Sequence, residues 1–286
     1  MKIGIGLPNT VKGIQGDLIV RWARRAEERG FSSLGTIDRI AFPSLDSLAS
    51  LAAAGAVTER IGLLTDILLA PTRHPVLLAK EAATIDQLTG DRLTLGLAPG
   101  SRADDYAAVG LSFSDRGRRF DHDLDVMFRA WKGDPVNGAE LPVSPSPANG
   151  DRVRLLFGGM SGAAADRAAK VGDGWTAGGA PFEATTPQVE RVRIAWKDAG
   201  RDGQPYLVAL SYFGLGDTEE ASKESLRAYY GYTGDYVEAI AAGAPRTPEA
   251  IKEHLEPFAG LGFDEFILFP TVADLAQVDL LADAVL

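Results

Sequence analysis

Short apolar runs alternate with longer amphipathic stretches along the whole chain, and this alternation constrains the fold more than any other feature. Lys2–Leu7 (KIGIGL) reads as a strand, and Asp17–Arg29 (DLIVRWARRAEER) as a helix whose apolar residues recur at three and four. Gly30 stands where a left-handed cap ends that helix. Ser33–Ile37 pairs with Leu45–Thr58, Ile61–Leu69 with Val76–Leu88, and Arg92–Leu97 with Arg118–Trp131. Val153–Phe157 precedes Gly162–Val171, and Gly174–Ala177 precedes Thr186–Ala199. Tyr206–Phe213 leads into a long polar and aromatic helical region, and Phe263–Phe269 into Leu275–Val285. Strands alternating with helices imply parallel pairing through helical crossovers. Eight such pairs match the count of a closed (β/α)8 barrel, an α/β fold expected here as a single domain over residues 1–286. A doubly wound open sheet is the competing architecture that periodicity leaves open.

Two segments exceed what the repeat requires. Gly133–Asp151 is rich in Pro, Gly and Asn and reads as an insertion loop; Leu215–Thr247 carries Tyr229, Tyr230, Tyr232 and Tyr236 and reads as an added lid. Both insertions are expected at the C-terminal face of the barrel. Composition then removes whole classes of function. With 29 basic against 39 acidic residues the formal charge is −10, so the basic footprint of a nucleic-acid binder is missing. The absence of cysteine excludes disulfides, thiol nucleophiles and Cys-ligated metals. His74, His122 and His254 are not spaced to share a helix face, so no metal site is expected. The opening MKIGIGLPNT lacks signal-peptide architecture and no uncharged stretch reaches the ~20 residues of a membrane span, so a soluble, cytoplasmic protein is expected.

In a barrel of this kind the site lies at the C-terminal ends of the strands. Those ends read Leu7–Asn9, Asp38-Arg39, Thr65-Asp66, Ala98–Ser101, Gly158–Ser161, Trp175-Thr176, Tyr212–Gly214 and Pro270-Thr271. This wall is weakly polar and rich in glycine and aromatics, and it suits a large flat ligand better than acid–base hydrolysis. The sharpest local feature is LLFGGMSGAAADRAA, an apolar strand running through Gly158, Gly159, Met160, Ser161 and Gly162 into a helix. Free N–H groups and the helix dipole make such a start an anion site; alternatively Ser161 only caps the helix. The same residues approximate a G-x-S-x-G nucleophile elbow, which raises a serine hydrolase as a rival. That rival needs a downstream histidine, and only His254 is available, inside the helical TPEAIKEHLEPF. Asp38 and Asp66 at strand ends read either as acids near a reaction centre or as caps of neighbouring helices.

Thr65–Gly100 (TDILLAPTRHPVLLAKEAATIDQLTGDRLTLGLAPG) resembles the signature of the bacterial-luciferase-like flavin and deazaflavin oxidoreductases. The shared pattern is a third barrel strand, a Pro-Thr-x-His-Pro lead-in to a helix, an A-x-x-x-D-x-L-[ST]-x-[GD]-R helix end and an L-G-[LIV]-x-x-G strand. Arg118–Asp121 and Gly172–Trp175 fit the same pattern, and the resemblance covers roughly residues 1–200. It implies a TIM barrel that binds reduced FMN, or the deazaflavin coenzyme F420, at its C-terminal mouth. On this resemblance the cofactor phosphate falls to Gly159, Met160, Ser161 and Gly162, and the ring to the strand ends Asp38, Asp66, Ile67 and Ala98–Ser101 (Ala98, Gly100 and Ser101 among them), with Trp175 nearby and Gly158 also at the cofactor. A cis peptide at Asp66–Ile67 and a dimer contacting through the helices of the second and third units are also implied.

The sequence departs from the family at two places. Relatives place a catalytic histidine after the second strand, where Thr36-Ile37-Asp38-Arg39-Ile40 has Arg39, which points away from light emission and from sugar-phosphate dehydrogenation. Pro99 replaces the basic residue expected by the phosphate, with Arg102 as its substitute. The function expected is a flavin-dependent monooxygenase using reduced FMN and O2 on a small organic substrate. Asp38 and Arg39 are the catalytic candidates, and Phe182, Tyr212, Phe213, Tyr229 and Tyr230 the substrate wall. With no reductase module in the sequence, a separate flavin reductase is the expected partner. Hydride transfer with the deazaflavin coenzyme is the alternative, favoured by a cationic rim of Arg102, Arg116, Arg118 and Arg119. A degenerate small-molecule-binding protein is the reading of a different class.

Overall fold

The computed structural model describes residues 1–286. Eight parallel strands close into a barrel in chain order: β1 (Lys2–Gly6), β2 (Ser33–Thr36), β3 (Gly62–Leu69), β4 (Leu93–Ala98), β5 (Arg154–Gly158), β6 (Gly174–Thr176), β7 (Tyr206–Phe213) and β8 (Glu265–Pro270). The ring closes where β1 pairs with β8, from Lys2↔Glu265 to Ile5↔Leu268. The crossovers are α1 (Gly16–Arg29), α2 (Ser47–Gly55), α3 (Pro75–Thr89), α5 (Arg116–Trp131), α6 (Gly162–Val171), α7 (Phe182–Asp198), α10 (Pro248–Leu261) and α11 (Ala276–Val285), and α4 (Ala103–Ala108), α8 (Glu219–Tyr230) and α9 (Tyr236–Gly243) are additions. The open-sheet alternative is excluded, and no helix is long and apolar enough to cross a membrane.

Local chemistry explains the boundaries. Gly30 ends α1 at φ 90°, in the left-handed region expected of it, and its N–H returns to the carbonyls of Ala26 and Glu27. Asp46, Ser161 and Thr247 each accept an N–H of the first turn they precede, on α2, α6 and α10. Helix α7 starts at Phe182 rather than Thr186, because the hydroxyls of Thr185 and Thr186 bond back to Pro181 and Phe182 and support a turn ahead of Pro187. The helical region after β7 divides: α8 and α9 stand over the barrel mouth, and the crossover to β8 is α10.

Alternate residues of each strand face two cores. The outward set, with Leu34, Phe157, Trp175, Phe213 and Phe266, packs under helix residues such as Trp22 of α1 with no exposed surface. The inward set stacks in layers. At the bottom, Ser33 and Tyr206 donate to the Glu265 carboxylate at 2.7 and 3.0 Å. Above them Leu64, Leu156, Val208, Ile267 and Phe269 fill the barrel. Each fully buried side chain of this size contributes roughly 1.5–3 kcal/mol. The next inward positions up the strands are Asp66, Gly158, Thr176 and Leu210, and these form the floor of the mouth.

One expectation about the insertions is corrected. Residues 133–151 follow a helix and precede a strand, so they lie at the N-terminal end of the barrel, not the C-terminal face. There Lys80 Nζ donates to the Ser144 carbonyl at 2.6 Å, Ala148 N–H donates to Asp86 at 2.8 Å, and Asn149 and Asp151 sit beside the strand starts at Lys2, Ser33 and Leu93. Residues 215–247 follow a strand and do stand at the C-terminal face.

Candidate active site

The mouth holds a cavity of about 360 Å³, within the size range of small-molecule sites. Its floor is Asp66, Gly158, Thr176 and Leu210, and its rim includes Asp38, Ala98–Arg102, Gly178, Gly179 and three tyrosines from the α8 end. The Asp66–Ile67 peptide is cis, as the resemblance implied. A Cβ on Gly158 would stand 2.0 Å from Cδ1 of Ile67, so only glycine lets that side chain cross the floor.

Two buried ion pairs stiffen one side of the rim. Asp38 accepts from both terminal nitrogens of Arg73, at 2.6 and 2.9 Å, and from Leu69 N–H at 2.9 Å. Arg39 points the other way and donates Nε–H to Asp105 at 2.9 Å, with a further bond to Asp104 at 3.1 Å. Asp105 also accepts Ile40 and Ala41 N–H, each at 2.8 Å. Both catalytic candidates are therefore fully engaged, Arg39 does not line the cavity, and neither presents a free acid or base. Sequence reasoning missed their partners Arg73 and Asp105.

The third acidic side chain at the mouth is different. Asp66 is buried, accepts one hydrogen bond from Thr176 Oγ1 at 2.8 Å, and has no partner for Oδ2. Burial, reinforced by the negative charge of Glu265, lifts its pKa to about 7.

At the opposite end of the cavity, α6 opens with its first turn exposed. No protein acceptor takes the N–H groups of Met160, Ser161, Gly162 or Ala163, and Gly159 reaches this loop at φ 121°, a conformation closed to other residues. Arg167, one turn along, lines the same cavity. The loop is held from behind: Trp175 Nε1 donates to the Gly159 carbonyl at 3.0 Å, and Gln188 Nε2 to Ser161 at 3.0 Å. An exposed helix start with free N–H groups and a nearby guanidinium can hold a phosphate.

A sequence profile described as luciferase-like monooxygenase matches residues 1–265. The chain belongs to that family. This chain is accordingly a flavin-dependent oxidoreductase. It is 30% identical over 220 residues to an uncharacterized protein of Mycobacterium tuberculosis, covering 68% of this chain and 76% of the relative. It is 29% identical over 182 residues to the FMNH2-dependent dimethylsulfone monooxygenase of Pseudomonas putida, covering 60% of this chain and 49% of that protein. Among solved structures, monooxygenase RslO1 from Streptomyces bottropensis superposes with a TM-score of 0.83 at 25% identity, covering 100% of this chain and 98% of the other.

The remaining candidates of this luciferase-like chain fall on both sides of the wall. Tyr212, Tyr229 and Tyr230 line the cavity together with Ile67, Ala98, Gly100, Ser101, Arg102, Gly159 and Ser161. Phe213 and Trp175 face the outer core, Phe182 packs on Phe258, and Met160 points to solvent; none reaches the cavity, and Gly162 contributes only its backbone. Tyr212 and Tyr230 share a hydroxyl–hydroxyl bond of 2.6 Å, and burial raises the pKa of both phenols. Arg102 stacks on Tyr232 and Tyr229, 4.0 and 4.6 Å from the ring centres. Of the rest of the expected cationic rim, Arg116 donates to the Gly100 and Phe113 carbonyls and Arg119 pairs with Asp115; neither these nor the exposed Arg118 lines the cavity. Ser161 Oγ caps α6 and His254 lines a separate cavity, so a serine hydrolase lacks its base. Thr176, read as a strand end of the wall, does line the cavity, while Arg167, Gly178 and Leu210 were missed; the inward register of β7 was the signal for Leu210.

Proposed function

We propose that this chain holds reduced FMN in the barrel mouth and uses it with O2 to oxygenate a small organic substrate. The observation that carries the reading is the open first turn of α6 at one end of a glycine-lined cavity. The residues present fit the cofactor. The N–H groups of Met160, Ser161, Gly162 and Ala163, with Arg167, would hold the phosphate, and Trp175 fixes that loop through Gly159. Asp66, Ile67, Ala98, Gly100, Ser101 and Gly158 line the cavity and would face the ring. Bound reduced flavin supplies the electrons that activate O2, and the chemistry is the cofactor's. The chain's part is position and dryness: Tyr212, Tyr229 and Tyr230, with Arg102 stacked across them, wall the substrate and shed water. Asp38 and Arg39 act through geometry, holding the rim rather than moving protons.

Reduced FMN is favoured over the deazaflavin coenzyme because the acidic tail of the latter calls for free cations on the rim. Of the expected rim, Arg116 and Arg119 are bound to carbonyls and to Asp115, Arg118 lies outside the cavity, and Arg102 alone lines it, stacked on tyrosines. The FMNH2-dependent relative supports the same choice and a separate flavin reductase as partner.

An anaerobic titration with both reduced cofactors tests the proposal. Tighter binding of reduced FMN is the expected outcome. Tighter binding of the deazaflavin would replace oxygenation by hydride transfer. Failure of both to bind below about millimolar, roughly 4 kcal/mol, would leave a degenerate barrel.

A further inference from the structure

Three carboxylates face the mouth, and their surroundings differ in kind. Asp38 holds the two terminal nitrogens of Arg73, and Asp105 holds Arg39 and two backbone N–H groups. Asp66 has no cation bonded to it. It sits at the floor with 2% of its surface exposed, one oxygen tied to Thr176 and the other facing no donor at all. An ionised carboxylate left in that condition loses its solvation without compensation, whereas a protonated one is neutral and carries a donor to offer.

We infer that Asp66 is a neutral carboxylic acid in the resting site, and that its Oδ2–H is the donor presented to the polar edge of a bound flavin ring. The inference rests on the flavin reading and assigns the protonation state that reading leaves open. Asp66 is the only carboxyl on the floor, and the other floor side chains are Thr176, Ile67 and Leu210, so no other acidic proton stands there. The charged and titratable groups around it reinforce the neutral form. Glu265, below it on β8, adds negative potential. Asp38, in the loop after β2, is matched by Arg73. Tyr212 on β7 and Tyr229 and Tyr230 on α8 stay protonated, because burial raises their pKa values. Arg102 is stacked on the tyrosines, and Arg167 on α6 is bonded to Asp121. A pKa of about 7 puts the loss of the proton within the range where flavin binding can be measured.

The test compares wild-type protein with Asp66→Asn, which keeps the size, the acceptor for Thr176 and a donor at the second position. Infrared difference spectra of the protein without flavin should show a protonated-carboxyl carbonyl band near pH 6 that fades toward pH 9 and is absent from the variant. FMN titrations over the same range should give a wild-type dissociation constant that rises relative to the variant's by about tenfold per pH unit above pH 7. Taking the ratio cancels titrations of the flavin and its phosphate, which both proteins share. Flavin binding with a flat ratio, or no carboxyl band, would overturn the inference and leave the flavin reading standing. If neither protein bound flavin at any pH, both would fall.

Discussion

Asp38 and Arg39 are neighbours in the chain and lean on opposite supports, 35 residues downstream at Arg73 and 66 residues downstream at Asp105. Both pairs are nearly dry, so removing one partner strands a charge. Arg73→Met should therefore destabilise the protein by about 3–5 kcal/mol, read as a shift in the chemical-denaturation midpoint, and Arg73→Met with Asp38→Asn should recover part of the loss. A loss below about 1 kcal/mol would show the pair to be water-screened. Pairs of this kind were not legible in the sequence, because nothing local marks which distant arginine a buried aspartate will meet. Which way a strand residue faces was legible. Along β7 the inward set runs Val208, Leu210, Tyr212, so Phe213 must face out, and the same alternation turns Trp175 outward between Gly174 and Thr176. Strand-end position alone put Phe213 and Trp175 at the site; the pleat removes their side chains from it.

Strands and helices were the most readable level. Each strand is an apolar run too short to be anything else, and each crossover helix carries a stripe it must bury. The start of α6 was readable for a related reason: glycines before a capping serine leave donors that no side chain covers. What escaped were the short helix α4 and the place of residues 133–151, since turn-rich sequence marks a loop without saying at which end of the barrel it lies. Elements are also tied together by single side chains. Glu27 on α1 accepts the N–H groups of Glu59, Arg60 and Ile61 just ahead of β3, and these bonds hold its carboxyl below the ordinary 4.5 despite the opposing effect of partial burial. A depressed folded-state pKa means that its contribution is present above the unfolded value and is lost as pH falls through the folded one. Glu27→Gln should accordingly weaken the fold at neutral pH and lose less further stability than wild type between about pH 5 and pH 3. Thermal melts across that range check it, and parallel curves would remove Glu27 from the account of acid unfolding.

The molecule as a whole presents one apolar flank that its own elements leave uncovered. On α3, Leu77 and Leu88 are 57% and 76% exposed, beside Leu48, Ala49 and Ala52 of α2. We propose that a second copy covers this flank, as the resemblance implies. Sedimentation should then find a dimer, and Leu77→Lys with Leu88→Lys should give a folded monomer; a monomeric wild type would refute the proposal. Across the mouth, the supports are unevenly shared. The side formed by the loops after β2, β3 and β4 is locked by charge, while the side under α8 and α9 is joined by neutral hydroxyls and stacked rings. The loop carrying Asp38 and Arg39 thus works as a keystone, since it holds the loops after β3 and β4 and drawing it out releases two arches at once. Damage there spreads sideways around the rim, whereas a change among the tyrosines stays where it is made. Selection for a new substrate can therefore rewrite one half of the rim while the other keeps the ring of the barrel true.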